Sequence, residues 1–145
     1  MYKKILLAYN GTSEGRSALL ACAELAAFVN AETHLLSVAS LPSSMFLTEG
    51  FLPEEIIEEE KKRMQLVLDE GIAGLTAKGF SVTGHLAVGE PVEEISRIST
   101  ELDCDLIVVG HRQKQSFAQR WWRGSVGASL IDFSPCSILV ARSRD

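Results

Sequence analysis

Short apolar runs alternate along the chain with longer stretches whose apolar residues recur at helical spacing. The first run, Ile5-Leu6-Leu7-Ala8-Tyr9, is continuous rather than alternating. That is the mark of a strand buried on both faces. Further runs fall at 33–39, 80–88, 106–109 and 136–141. Asn10-Gly11 closes the first run as a turn, and Thr12 or Ser13 then caps a helix that reaches Val29. A second helix, 54–77, carries Ile57, Met64, Leu68 and Leu75 near one face and ends at Lys78-Gly79. On its wet face Glu58 with Lys62 and Glu59 with Arg63 are spaced as i,i+4 ion pairs. Gly89-Glu90-Pro91 opens a third helix, with Pro91 at its first position and Ile95, Ile98 and Leu102 on its apolar stripe. A short fourth helix spans about 125–133 and stops at Ser134-Pro135.

The resulting order, β-α-β-α-β-α-β-α-β, predicts an α/β fold: a doubly wound parallel five-stranded sheet with right-handed crossovers. Ligands of such sheets bind beyond the carboxyl ends of the strands, where the strand order reverses. With the order 3-2-1-4-5 that point lies between strands 1 and 4, which brings Asn10-Gly11 and Gly110 together.

Composition narrows the class. The 145 residues fit a single domain, 1–145, and 46% hydrophobic residues suffice for a substantial core. A net charge of -5 argues against a nucleic-acid partner. No run approaches the ~18 apolar residues of a membrane span, and the start does not read as a secretory signal, so a cytoplasmic location is expected. Cys22, Cys104 and Cys136 are scattered and read as small buried hydrophobes.

The chemistry concentrates between Gly110 and Gly127. This stretch gathers His111, Arg112, Lys114, Arg120 and Arg123 and delivers Gly124-Ser125 to a helix N-terminus. Free N–H groups and the helix dipole there favour phosphate, and arginines grip phosphate with paired hydrogen bonds. The same residues are equally consistent with a connecting loop in which Ser125 is only an N-cap. The loop 40–53 has enough apolar residues to pack down as a lid. Trp121 and Trp122 read as loop anchors, His111 as a solvated loop histidine, and His34 and His85 as structural strand residues. The carboxylates from Glu54 to Glu60 read as a solvated helix face. Asp103 and Asp105 read as turn chemistry at the end of the sheet away from ligands. No nucleophile–base constellation, serine elbow or lysine-bearing phosphate loop is present, so no enzyme activity is expected, and any ATP hydrolysis should be slow.

Several segments together resemble the universal stress protein family: Tyr2-Lys3-Lys4-Ile5-Leu6-Leu7-Ala8 with Asn10-Gly11-Thr12, the strand ending Leu35-Leu36-Ser37-Val38, Gly89-Glu90-Pro91, Asp105 to Gly110, Gly124-Ser125-Val126, and Ser134-Pro135-Cys136 through Val140. The resemblance implies a flavodoxin-like, adenine nucleotide alpha hydrolase-like sheet of order 3-2-1-4-5. It implies a homodimer through the last strand, from Ser137 to Ala141, and regulatory protein partners. It also implies a regulatory module of the stress response that binds ATP or another adenine nucleotide, with Mg²⁺ accompanying the nucleotide; a dimeric interaction protein without nucleotide is the alternative.

The nucleotide site implied comprises Ala8, Tyr9, Asn10, Gly11, Val38, Gly89, Gly110, His111, Arg112, Gly124, Ser125 and Val126. In it Val38 offers its backbone to adenine, Gly110 lies beneath the ribose, and Gly124, Ser125 and Val126 hold phosphates. The chain departs from the nucleotide binders of the family in three ways. Asn10 replaces an Asp, Gln113 replaces a glycine, and the loop before Gly124 is one residue longer.

Overall fold

The structure is a computed structural model that describes residues 2–40, 54–112 and 126–143. Of the lid expected over 40–53, Ser40 ends a strand and the rest lies outside the described residues. So does the 113–125 stretch, with Gln113, Lys114, Arg120, Trp121, Trp122, Arg123, Gly124 and Ser125.

β1 (Lys4–Ala8) carries Ile5, Leu6 and Leu7, all completely buried. It ends one residue earlier than the apolar run suggests. Tyr9 still donates its N–H to the Leu36 carbonyl at 2.9 Å, but the chain then turns into the helix cap. There the Asn10 carboxamide oxygen accepts from both the N–H and the hydroxyl of Thr12, at 3.1 and 2.6 Å. Thr12 in turn accepts from the Gly15 N–H at 3.1 Å and so caps α1 (Ser13–Val29). Asn30, in the left-handed conformation, closes that helix.

β2 (Glu32–Ser40) leads to α2 (Glu54–Ala77), whose buried residues are Met64, Leu68, Gly71 and Leu75. Their 4-3-4 spacing is one helical face. The Phe80 N–H donates to the Leu75 carbonyl, which ties Phe80 to the end of α2. β3 (Val82–Gly89) therefore starts two residues later than the apolar run suggests. α3 (Pro91–Glu101) has Pro91 in its first turn, and the Glu90 carboxylate accepts from the Glu93 N–H at 2.9 Å. β4 (Leu106–Arg112) runs on past Gly110, α4 (Val126–Phe133) follows, and β5 (Ser137–Ser143) is last. The Asp105 carboxylate accepts from the backbone N–H groups of Lys3 and Lys4, at 2.8 and 3.1 Å. Burial opposes its charge, but these backbone bonds outweigh it and hold its pKa below the usual carboxylate value.

The strands form one parallel sheet in the order β3-β2-β1-β4-β5, as the resemblance implies. Because side chains alternate across a strand, the sheet has two apolar faces. One joins Ile5, Leu7, Leu35 and Val108 to Ala18 and Cys22 of α1 and Leu68 of α2. The other joins Leu6, Leu36 and Ile107 to Ile95 of α3 and Leu130 of α4. Burial raises the Cys22 thiol to about 12 and, as the main cause, the Cys104 thiol to about 11, in keeping with inert core cysteines. No helix among the described residues is long and apolar enough to cross a membrane.

His34 and His85 are joined. His34 is buried; its Nε2 lies 2.7 Å from a Glu32 carboxylate oxygen and its Nδ1 2.9 Å from Nε2 of His85. The chain of contacts clips β2 to the edge strand β3. Partial burial, then the neighbouring His34, hold the His85 pKa below its ordinary value. The unfolded chain therefore binds a proton at this residue more readily than the folded chain does. Stability from His85 is complete above about pH 6.5 and falls as pH drops from there through the lower folded value. Urea midpoints at about pH 8 and about pH 5.5 should differ more for the unaltered protein than for His85→Gln. Equal differences would show that the histidine pair does not govern acid sensitivity in this window.

Candidate functional site

The carboxyl ends of β1, β2 and β4 enclose a cavity of about 350 Å³, within the range of small-molecule sites. Its position follows from topology. β1 hands on to α1 on one side of the sheet while β4 pairs with its other edge, so a crevice opens above the strand tips.

From β1 and its cap come Ala8, Tyr9, Asn10, Thr12 and Gly15. β2 contributes Leu36, Val38 and Ser40, and β4 contributes Val109 and Gly110. Pro91 and Ile95 of α3 close one flank, and Arg63 and Met64 of α2 close the other. Arg63 is the one charged side chain among these lining residues.

The backbone of the β1 tip is fixed from below, because the buried Ser37 hydroxyl donates to the Tyr9 carbonyl at 2.8 Å. The Tyr9 hydroxyl is turned away toward α2, where it donates to Glu70 at 3.3 Å; Arg16 donates to the same Glu70 oxygen at 3.2 Å. Burial and the Glu70 charge together raise the Tyr9 pKa, so Tyr9 offers the cavity a ring edge and backbone rather than an acid. Asn10 spends its carboxamide oxygen on two Thr12 donors. Its nitrogen is left as the group suited to a ligand, a neutral donor that complements a hydroxyl oxygen.

Gly15 leaves room for the Asn10–Thr12 cap. A Cβ there would lie 2.9 Å from the Asn10 oxygen and 3.3 Å from the Thr12 hydroxyl. Among the described residues no three His, Cys, Asp or Glu side chains come together as a metal site.

The structure thus gathers Ala8, Tyr9, Asn10, Val38 and Gly110 of the expected set around one cavity. Gly11 sits beside it at φ 82°, with its α-carbon turned to Val67 of α2. Gly89 ends β3 at φ 153°, and its α-carbon closes on the Glu94 side chain instead of on the cavity. His111 and Arg112 are the last residues of β4, paired in register with Arg142 and Ser143. Val126 begins α4. Gly124 and Ser125 fall outside the described residues.

The expected site set lacked Thr12, Gly15, Leu36, Ser40, Arg63, Met64, Pro91, Ile95 and Val109. Leu36, Ile95 and Val109 carry only a core signature in sequence. Arg63 and Met64 reach the cavity because α2 packs on β2 and β3 beside the strand tips, which no local pattern encodes. The ion pairs of α2 also differ from the expected spacing. Glu58 pairs with Lys61 at 3.5 Å and Glu60 with Arg63 at 2.6 Å, both at i,i+3.

The fold and this crevice define a doubly wound α/β protein with a ligand cleft at its switch point. The model of the universal stress protein family matches residues 1–142, and the chain belongs to that family. It is similar to universal stress protein YxiE of Bacillus subtilis (strain 168), with 31% identity over 150 aligned positions that cover 98% of this chain and all of that protein. Among solved structures it is similar to the universal stress protein of Archaeoglobus fulgidus in complex with dAMP, at TM-score 0.66 and 23% identity, covering 96% of this chain and 97% of the other. It is also similar to a universal stress protein family protein of Arabidopsis thaliana with AMP bound, at TM-score 0.70 and 16% identity, covering 98% and 92%. At these identities the structural likeness is one of fold.

Proposed function

We propose that this universal stress protein is a cytoplasmic regulatory module that binds ATP or another adenine nucleotide at the crevice between β1 and β4, without turning it over. The observation that supports this reading is the cavity itself. It has apolar walls from Leu36, Val38, Ile95 and Met64, polar atoms at Asn10, Thr12 and Ser40, and Gly110 at its floor. Solved relatives hold AMP and dAMP, which makes an adenine nucleotide the first ligand to test. In this reading the base lies toward Val38, the ribose over Gly110 with the Asn10 amide as its donor, and the phosphates toward the start of α4. Mg²⁺ belongs to the nucleotide's own phosphates, since the described lining residues include no carboxylate.

The test is a melting curve with ATP, AMP and cyclic AMP, together with chromatography of any nucleotide released from purified protein. A ligand at a hundredfold excess over Kd adds about 2.7 kcal/mol. For a domain of this size that is a rise of roughly 5–10 °C. A melting temperature unmoved by every nucleotide, with none released, would refute the reading.

A second reading, a dimer that acts through protein partners, is favoured by one observation. β5 is a sheet edge, and it carries the partly exposed Leu139. We propose that two copies pair through residues 137–141. Sedimentation should then show a dimer that Leu139→Lys dissociates; a monomeric unaltered protein would exclude the pairing.

A further inference from the structure

The cavity has two unlike ends. α2 packs on β2 and β3, whereas α4 packs on β4 and β5. With parallel strands about 4.8 Å apart, β2 and β4 are separated by roughly 10 Å across β1. Arg63 and Met64 therefore line the β2 side, beside Val38 and Ser40, while the start of α4 belongs to the opposite side. A ligand long enough to span the crevice would meet these two ends with different parts of itself.

Arg63 is held in a particular way. Its Nε donates to one Glu60 carboxylate oxygen at 3.0 Å and its Nη2 to the other at 2.6 Å. Glu60 is the better buried partner, with 22% of its side chain exposed against 63% for Arg63. The carboxylate fork thus takes one edge of the guanidinium and leaves the planar faces for a flat partner. A phosphate would have to displace Glu60 or use only the remaining Nη1 side, whereas an aromatic base can lie on the open faces with the Glu60 pair intact. Met64, next in sequence and 3% exposed, adds a polarizable apolar surface to the same wall.

We propose that Arg63, held by Glu60, is the base-recognising side chain of this cavity: its guanidinium plane covers the nucleobase on the β2 side, while the phosphates lie at the β4 side. This rests on the nucleotide reading above and adds a specificity-determining residue to it. A contact of this kind with a ring contributes to the base alone, so its loss is felt equally whatever the number of phosphates.

The experiment compares binding of adenosine, AMP and ATP to the unaltered protein, Arg63→Ala, Arg63→Lys and Glu60→Gln by calorimetry. Arg63→Ala should raise Kd by about 3- to 30-fold, by the same factor for all three ligands. Arg63→Lys should not restore affinity, because an ammonium lacks the plane, and Glu60→Gln should cause a smaller uniform loss. If the loss instead grows from adenosine to ATP and lysine restores it, Arg63 is a phosphate contact and the proposal is wrong. If Arg63→Ala binds all three ligands unchanged, the proposal falls and the nucleotide reading stands. If the unaltered protein binds none of them, both fall.

Discussion

Gly71→Val is expected to destabilise the protein by about 2–3 kcal/mol, because α2 approaches β2 at this residue more closely than any side chain allows. A Cβ on Gly71 would lie 2.7 Å from Cδ2 of Leu35, 2.9 Å from Cδ2 of Tyr9 and 3.1 Å from its Cε2. Neither neighbour has room to yield. Leu35 is fully buried within β2 between β1 and β3, and Tyr9 is 3% exposed with its hydroxyl tethered to Glu70. Two effects compete. Replacing glycine with alanine or valine gains up to ~1 kcal/mol of helix propensity in mid-helix. Overpacking costs about 1–3 kcal/mol, and valine adds its branch at the crowded atom. Alanine should come closer to break-even than valine does. Since Tyr9 also lines the cavity, nucleotide affinity should fall in parallel. Urea denaturation gives the answer: a Gly71→Val midpoint equal to that of the unaltered protein would mean the helix can lift off the sheet at no cost.

The second large effect is expected on binding. Ala8 ends β1 at the cavity, small and half-buried, with Val109 and Gly110 of β4 on the neighbouring strand tip. Ala8→Phe should fill the space a ligand needs and weaken ATP by at least about 100-fold, or ~2.7 kcal/mol. Its effect on folding should be small, because the added ring enters an existing cavity and removes no contact. Ala8→Ser, nearly isosteric, should bind within a few-fold of the unaltered protein. The thermal shift with ATP reports both. An Ala8→Phe protein that still shifts normally would place the ligand elsewhere on the molecule.

The architecture was largely legible along the chain, for local reasons. Short continuous apolar runs bounded by turn residues, such as Ile5 to Ala8 before Asn10-Gly11, read as strands buried on both faces, and Thr12, Pro91 and Gly79 mark helix ends through their own backbone and side-chain chemistry. The edges were less legible. Tyr9 and Phe80 extend apolar runs in sequence, but each is drawn out of its strand by the turn beside it, Tyr9 by the Asn10–Thr12 cap and Phe80 by the last turn of α2.

Part of the cavity was legible for a related reason. Ala8, Tyr9, Asn10, Val38 and Gly110 stand at strand tips, and strand order brings strand tips together. Residues that reach a common point from different layers were not. Arg63 reads in sequence as one more charge on a wet helix face, and only the packing of α2 on β2 and β3 brings it to the cavity. Its partner is Glu60 rather than Glu59, because i,i+3 and i,i+4 neighbours are equally near on a helix and the surroundings choose between them. Glu32, His34 and His85 come from two strands whose register sets their contact. Periodicity therefore determined the elements, their order and the end of the sheet where a ligand belongs. Tertiary structure alone decided which side chains meet there, since it sets the angle of each helix across the sheet and the register of each strand against its neighbour.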